Sequence, residues 1–152
     1  MNTEINTVVA VLGPGAIGTT VAAALHEVDR TPLLCGRTPR DHLTLQDGDR
    51  FITVPGPVQT NPAQITRTVD LIFLAVKSTQ IDAAAEWLRA LTGPETVVCV
   101  LQNGVEQLDR LATYSLPGQS VPAVVWFPAQ AQSDGSVRLR GEARLSVPDA
   151  PA

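Results

Sequence analysis

The stretch from Val8 to Gly18 constrains this chain more than any other. It reads Val-Val-Ala-Val-Leu-Gly-Pro-Gly-Ala-Ile-Gly. An apolar, β-branched run ends in glycines at 13, 15 and 18, and a helix-forming segment, Thr19 to Val28, follows at once. Strand, tight turn and helix with G-x-G-x-x-G spacing is the arrangement that binds a dinucleotide. The first glycine permits the turn off the strand. The second lets a pyrophosphate approach the backbone, and the third lets the helix pack closely on the strand. The free N–H groups at the helix start, with the positive end of the helix dipole, then face the phosphates. Gly13, Pro14, Gly15, Ala16, Ile17 and Gly18 are therefore the candidate phosphate-binding residues.

The rest of the chain alternates strands and helices around this unit. A strand is expected at Val8–Leu12 and a second at Pro32–Cys35, giving a right-handed parallel crossover. Where an ordinary unit of this kind continues with a helix, Leu43, Leu45, Asp47-Gly48, Phe51, Ile52 and Val54 read as a β-hairpin with a tight turn. Asn61 is placed to cap a short helix at Ala63–Thr66. Leu71–Val76 is apolar on both faces, as a buried parallel strand requires. Ile81, Ala84, Ala85, Leu88 and Leu91 form a helical stripe that Gly93-Pro94 should stop. Further strands are expected at Thr96–Leu101 and Val121–Trp126, with a helix at Val105–Ala112 between them. A late hairpin joins Phe127–Gln132 to Ser136–Leu139 through Asp134-Gly135, and Arg144–Val147 reads as a last strand. The fold class is thus α/β: a Rossmann-type, doubly wound, mostly parallel sheet in three layers. A β-hairpin replaces the helix after the second strand, and an antiparallel hairpin lies near the C-terminus. Residues 1–147 form one domain, and residues 148–152 read as a linker-like tail.

Composition narrows the class of partner. The 152 residues are 44% apolar and 17% charged, which fits a folded globular chain with a substantial core. A net charge of −4 argues against a nucleic-acid partner, which calls for a basic face. The start of the chain lacks a basic and apolar leader pattern, and no apolar run reaches the ~18 residues of a membrane span. The expected location is cytoplasmic. Cys35 and Cys99 fall on strands three positions apart, about 14 Å at roughly 4.8 Å per strand, too far for a disulfide. No Cys/His spacing resembles a metal site.

In a doubly wound sheet, ligands sit beyond the carboxyl ends of the strands. Three such ends carry notable residues. The second strand ends in Cys35-Gly36-Arg37-Thr38, where an NAD site would place an acidic residue for the ribose hydroxyl. Here the nearest acid is Asp41, and Arg37 stands in its place with Thr38 and Arg40 close by. A guanidinium fork matches phosphate oxygens, so this site should hold the 2′-phosphate of NADP(H). Lys77, the one lysine among eleven basic residues, ends the central apolar strand. Its ammonium is suited to a cofactor ribose or a substrate carboxylate. Asn103, before Gly104, can donate and accept at a ribose or substrate hydroxyl. His26 and His42 are not expected near this cleft.

These pieces together resemble the N-terminal domain of the ketopantoate reductase (2-dehydropantoate 2-reductase) family. The residues that carry the likeness are Gly13-Pro14-Gly15-Ala16-Ile17-Gly18, Cys35-Gly36-Arg37, Leu74-Ala75-Val76-Lys77-Ser78-Thr79-Gln80, Leu101-Gln102-Asn103-Gly104-Val105 and the hairpin Gly135-Ser136-Val137. The resemblance implies an NADP-dependent oxidoreductase that reduces a 2-oxo acid such as ketopantoate, of the pantothenate pathway type. It assigns Arg37 to the 2′-phosphate, and Lys77 and Asn103 to cofactor and substrate. It also implies an all-helical C-terminal domain, absent from this sequence, that supplies the general acid. The chain alone should then be catalytically incomplete, partnered by a separate C-terminal domain or a second copy as a homodimer. Two other readings share the fold. One is a regulatory nucleotide-sensing Rossmann domain, and the other is the cofactor half of a 3-hydroxy acid dehydrogenase. Arg37 is the feature that distinguishes the sensor, in which an acid usually follows the second strand.

Overall fold

The computed structural model describes residues 7–76, 80–101, 105–125, 128–142 and 144–147. Its centre is a parallel five-stranded sheet in the order β2-β1-β5-β6-β7. These strands are β1 (Val9–Leu12), β2 (Leu33–Cys35), β5 (Val69–Leu74), β6 (Thr92–Val100) and β7 (Gln119–Pro122). The chain goes from β1 to its neighbour on one side, then returns to the other side of β1 to form β5. That reversal is the topological switch point of a doubly wound sheet, and it falls at the glycine turn. Leu12 stands in register with both Cys35 and Leu74, so the carboxyl ends of the three strands are level.

Helices cover both faces. Helix α1 (Ala16–Glu27) lies on one face, and α2 (Ile81–Leu91) and α3 (Val105–Ala112) lie on the other. The stripe Ile81, Ala84, Ala85, Leu88 and Leu91 is buried as its spacing implies, and Trp87 is buried beside it. Tyr114, just past α3, ties that layer together. Its hydroxyl donates to the Asp82 carboxylate, and its ring lies under the Arg89 guanidinium at 5.5 Å.

The two hairpins anticipated from the sequence join into one sheet. Strand β3 (His42–Asp47) pairs antiparallel with β4 (Arg50–Pro55), and β9 (Ala129–Ala131) does so with β10 (Val137–Leu139). A parallel pairing of β3 with β10, Leu45 opposite Val137, completes a four-stranded sheet in the order β4-β3-β10-β9. Its alternating residues Leu43, Leu45, Ile52, Val54, Val137 and Leu139 share a core with α1. Helix α1 therefore lies between two sheets. This explains six consecutive buried residues, Gly18 to Ala23. At 100° per residue such a run covers every side of the helix, and small side chains are what permit it.

Several boundaries differ from the sequence expectation. Helix α1 begins at Ala16 rather than Thr19, so the last glycine of the motif lies inside it. Helix α2 stops just before Gly93-Pro94 as expected, but β6 starts at Thr92 rather than Thr96, and its register against β5 shifts between Val69 and Leu71. The Thr96 hydroxyl holds this irregularity, accepting from Gly93 N–H at 2.8 Å and donating to the Val69 carbonyl at 2.5 Å. The strand expected at Val121–Trp126 is split. β7 stays in the main sheet, while β8 (Val124–Val125) pairs with β11 (Leu145–Ser146). The short helix is a 3-10 turn, Pro62–Gln64, and Asn61 caps it by accepting from Ala63 N–H at 3.0 Å. The loop of the first hairpin is Gly48-Asp49, one residue later than read, since Asp47 already pairs with Arg50.

Both cysteines are free and buried, on β2 and β6 with two strands between them. Burial pushes the Cys35 thiol up to about 12 and the Cys99 thiol to about 11. Both therefore stay protonated at neutral pH, and neither is an activated nucleophile.

The double-sided packing of α1 makes a direct prediction. Ala22 is fully buried, and a larger side chain there must displace one of the two sheets. Ala22→Leu should destabilise the fold by about 1–3 kcal/mol, seen as a lower urea midpoint in chemical denaturation. A midpoint equal to the parent's would mean that α1 is not held from both sides.

Candidate functional site

The carboxyl ends of β1, β2 and β5 open into a cleft of about 460 Å³. Its floor is the turn after β1. Gly13 adopts φ +91°, a conformation that a residue with a β-carbon rarely takes, and its N–H donates to the Cys35 carbonyl at 2.8 Å. Gly15 N–H donates to the Gly13 carbonyl at 2.8 Å, closing the turn. The Thr19 hydroxyl, itself buried, donates to the Pro14 carbonyl at 3.2 Å and fixes the turn from the helix side.

The two remaining glycines of the motif do different things. A β-carbon on Gly18 would collide with the Gly13 carbonyl and sit 3.2 Å from Val11 Cγ1, so Gly18 is what lets α1 lie against β1. A β-carbon on Gly15 would meet nothing within 4 Å, because that side of the turn faces the open cleft. Gly15 is also the N-cap of α1. No side chain caps it, and the first turn carries no acidic residue. The N–H groups at this helix start are thus available to an anion, with the helix dipole behind them.

The cleft's outer wall is the loop after β2. Arg37, Thr38 and Arg40 all line it and are exposed. Among the described residues that line the cleft, the only charged ones are these two arginines. The loop is fastened to the segment before the 3-10 turn. Gly36 N–H donates to the Gln59 carbonyl at 2.9 Å, and Val58 N–H donates to the Arg40 carbonyl at 2.8 Å. The opposite wall is Gln80, the N-cap of α2, with Ala83, Ala84 and Trp87 of that helix. The arrangement suits a long ligand with an anionic end at the arginines, a diphosphate over the glycine turn and a flat, less polar part along α2.

Among the expected site residues, Gly13 to Ile17 line this one cleft together with Arg37 and Thr38. Gly18 stands behind the turn, where it supports the cleft without lining it. Lys77 and Asn103 lie outside the described residues, as do residues 148–152. Val76 and Gln80, which flank the segment holding Lys77, both line the cleft. His26 lies in the last turn of α1, its Nδ1 2.7 Å from the Thr31 hydroxyl, and His42 begins β3; neither lines the cleft.

Comparison with known proteins places this geometry. The family model described as ketopantoate reductase PanE/ApbA matches residues 9–152. The chain belongs to the ketopantoate reductase family. A 2-dehydropantoate 2-reductase of Mycobacterium tuberculosis is 53% identical over 145 residues, which is 95% of this chain and 49% of that protein. A structure of a dimeric ketopantoate reductase from Staphylococcus aureus superposes with a TM-score of 0.78 at 28% identity, covering 94% of this chain and 48% of that one. A ternary complex of D-mandelate dehydrogenase with NADH and anilino(oxo)acetate shares the fold, with a TM-score of 0.81 at 22% identity over 91% of this chain and 47% of that one. The chain thus spans about half the length of the relatives that it matches. Among its described residues, no helix is long and apolar enough to cross a membrane.

Within this ketopantoate reductase fold, sequence reasoning passed over the α2 wall. Gln80, Ala83, Ala84 and Trp87 recur at intervals of three and four, so a second face beside the buried stripe was the available signal. It was obscured because Trp87 and Ala84 also serve the core. The two glycines of the turn and helix start can be separated by experiment. Gly18→Ala should destabilise the chain by about 1–3 kcal/mol, roughly 2–4 °C in Tm per kcal/mol at this size, whereas Gly15→Ala should leave Tm near the parent's. Thermal unfolding of both variants checks this, and equal losses would contradict the packing described.

Proposed function

We propose that this domain binds NADP(H) and forms the cofactor half of a reductase that converts a 2-oxo acid such as ketopantoate to its 2-hydroxy acid. The observation that carries the reading is the cleft at the glycine turn, whose described charged lining is two arginines and no acid. The donor set fits the group. In this reading the N–H groups of the turn and of the start of α1 hold the diphosphate. Arg37 and Thr38 hold the 2′-phosphate, where an NAD site would require an acceptor for the free hydroxyl. Lys77 and Asn103 are assigned to the nicotinamide ribose and the substrate.

NADPH supplies a hydride to the substrate ketone when bound. The chain's own part is to fix that cofactor along the cleft, with Gly15 leaving room for the diphosphate and α2 lining the inner wall. Reduction of a ketone also needs a proton at the new alkoxide oxygen, from a donor within about 3 Å. Lys77 is assigned here to binding, and the family's all-helical second half is assigned the general acid. These 152 residues are accordingly read as the cofactor-binding part of the reductase, competent to bind and deficient in turnover by themselves.

Two outcomes test this. Isothermal calorimetry should give tighter binding of NADPH than of NADH. Arg37→Ala should remove charge-assisted hydrogen bonds of about 1.5–3 kcal/mol, weakening NADPH by roughly 10- to 100-fold with little change for NADH. Equal affinities in the parent would overturn the NADP assignment.

The second test follows NADPH absorbance with ketopantoate added to the purified chain. A missing general acid typically lowers the rate by about 10²–10⁴-fold, so no turnover is expected. An added C-terminal half that docks should restore it. Turnover by the chain alone at rates usual for enzymes, on the order of 1 per second or more, would show that the proton donor lies within it.

A further inference from the structure

Arg40 stands apart from its neighbours in what it rests on. It lines the cleft with Arg37 and Thr38, yet its guanidinium lies against the backbone of Gly135, in the turn between β9 and β10. A β-carbon on Gly135 would collide with Arg40 Nη1 and fall 3.2 Å from Cζ and 3.3 Å from Nη2. Gly135 has φ +93°, and its lack of a β-carbon leaves the space that the arginine head occupies, Nη1 nearest. Both sides of this contact are fastened. The Arg40 carbonyl accepts from Val58 N–H at 2.8 Å, and Gly56 N–H donates to the Asp41 carbonyl at 3.0 Å, which anchors the loop beneath the side chain. In the turn, the Ser136 N–H and hydroxyl both donate to Asp134 Oδ1, at 2.9 and 2.6 Å, and Gly135 N–H donates to the Gln132 carbonyl at 3.1 Å. The ion pairs found among the described residues involve Arg50 with Glu27 and Asp47, and none engages Arg40.

We propose that Arg40 is a second cation of the site that receives the cofactor's 2′-phosphate, and that Gly135 is a positioning residue that sets its reach. This rests on the NADP(H) reading above and deepens it: selectivity for the phosphorylated cofactor is shared by two parts of the chain remote in sequence. Arg37 comes directly from the end of β2. Arg40, three residues on, lines the cleft with its head against a hairpin of the second sheet. A guanidinium seated on backbone keeps its fork oriented, so less side-chain freedom is lost when it meets a phosphate.

The test is a calorimetric cycle on the 152-residue chain with NADP⁺ and NAD⁺ as probes. Arg40→Ala should weaken NADP⁺ by roughly tenfold or more and leave NAD⁺ unchanged, and Arg40→Lys should recover only part of the loss. Gly135→Asn keeps a residue that tolerates positive φ but pushes the guanidinium off its seat. It should weaken NADP⁺ severalfold with NAD⁺ unchanged, and that effect should vanish in an Arg40→Ala background. A hairpin with a merely structural role would weaken both nucleotides, and its effect would persist without Arg40. An Arg40→Ala variant with the parent's NADP⁺ to NAD⁺ ratio overturns the inference while leaving the NADP(H) reading intact. A parent chain that binds neither nucleotide overturns both.

Discussion

The contact between α1 and β1 at Gly18 is the constraint on which the rest of the structure depends. Because residue 18 has no β-carbon, the helix can lie against the Gly13 carbonyl and Val11. That closeness has two consequences. It points the N-terminus of α1 into the cleft at the switch point, where an anion would meet free N–H groups rather than a side chain. It also holds α1 low enough for a second sheet to cover its far side. Val21, Ala22 and Ala23 then share one core with Leu43, Leu45, Val54 and Val137. A bulkier contact at residue 18 would disturb the cleft and the second sheet together.

The elements legible in the sequence are those whose signal is local. The strand-turn-helix at Val8–Gly18, the stripe from Ile81 to Leu91 and the apolar strand ending at Leu74 all show it. Each is specified by residues close in sequence, and each forms, although β5 runs Val69–Leu74 rather than the expected Leu71–Val76, so it ends before Lys77, and α1 starts three residues early. The pairing of β3 with β10 was not legible. Its partners Leu45 and Val137 are joined only through the fold, and neither hairpin's alternation names the other. The same distance hid Arg40's seat. Asp134-Gly135 reads as an ordinary hairpin turn, and nothing near it shows that an arginine from the loop after β2 lies on the glycine. Gly93-Pro94 marked the end of α2 but, for a different reason, hid the start of β6 at Thr92. A dipeptide that usually breaks structure is absorbed as a register shift, because the Thr96 hydroxyl satisfies the backbone groups that the shift frees.

The cleft's electrostatics follow from what the chain withholds as much as from what it supplies. The molecule is net acidic at −4, yet the described cleft lining has no carboxylate and the first turn of α1 has none. Acidic residues lie elsewhere, as at Glu27 and Asp47, which pair with Arg50 across the edge of the second sheet. Those pairs are exposed and screened, and they contribute little to stability. Separating the charges in this way leaves a locally positive cleft in a negative protein. An anionic ligand is then drawn to one place without the chain acquiring a general affinity for polyanions.

The same separation bears on how a shared fold accommodates different cofactors. On the NADP(H) reading proposed above, the backbone frame of a dinucleotide-binding fold does not by itself choose between the two nucleotides. Choice lies in the residues just past β2, where a side chain reaches the ribose end and either accepts from a hydroxyl or grips a phosphate. In this chain that position is Arg37, on a loop stapled to Gln59 and Val58. A stapled loop suits a phosphate-gripping guanidinium, because a fork is selective only when its orientation is fixed before the ligand arrives. The hydrogen bonds from Gly36 and Val58 belong to the backbone and survive any change of side chain at residue 37. On the proposed reading, cofactor preference would thus change at that position without rebuilding the loop, while the glycine turn and α1 would still hold the part of the ligand common to both nucleotides.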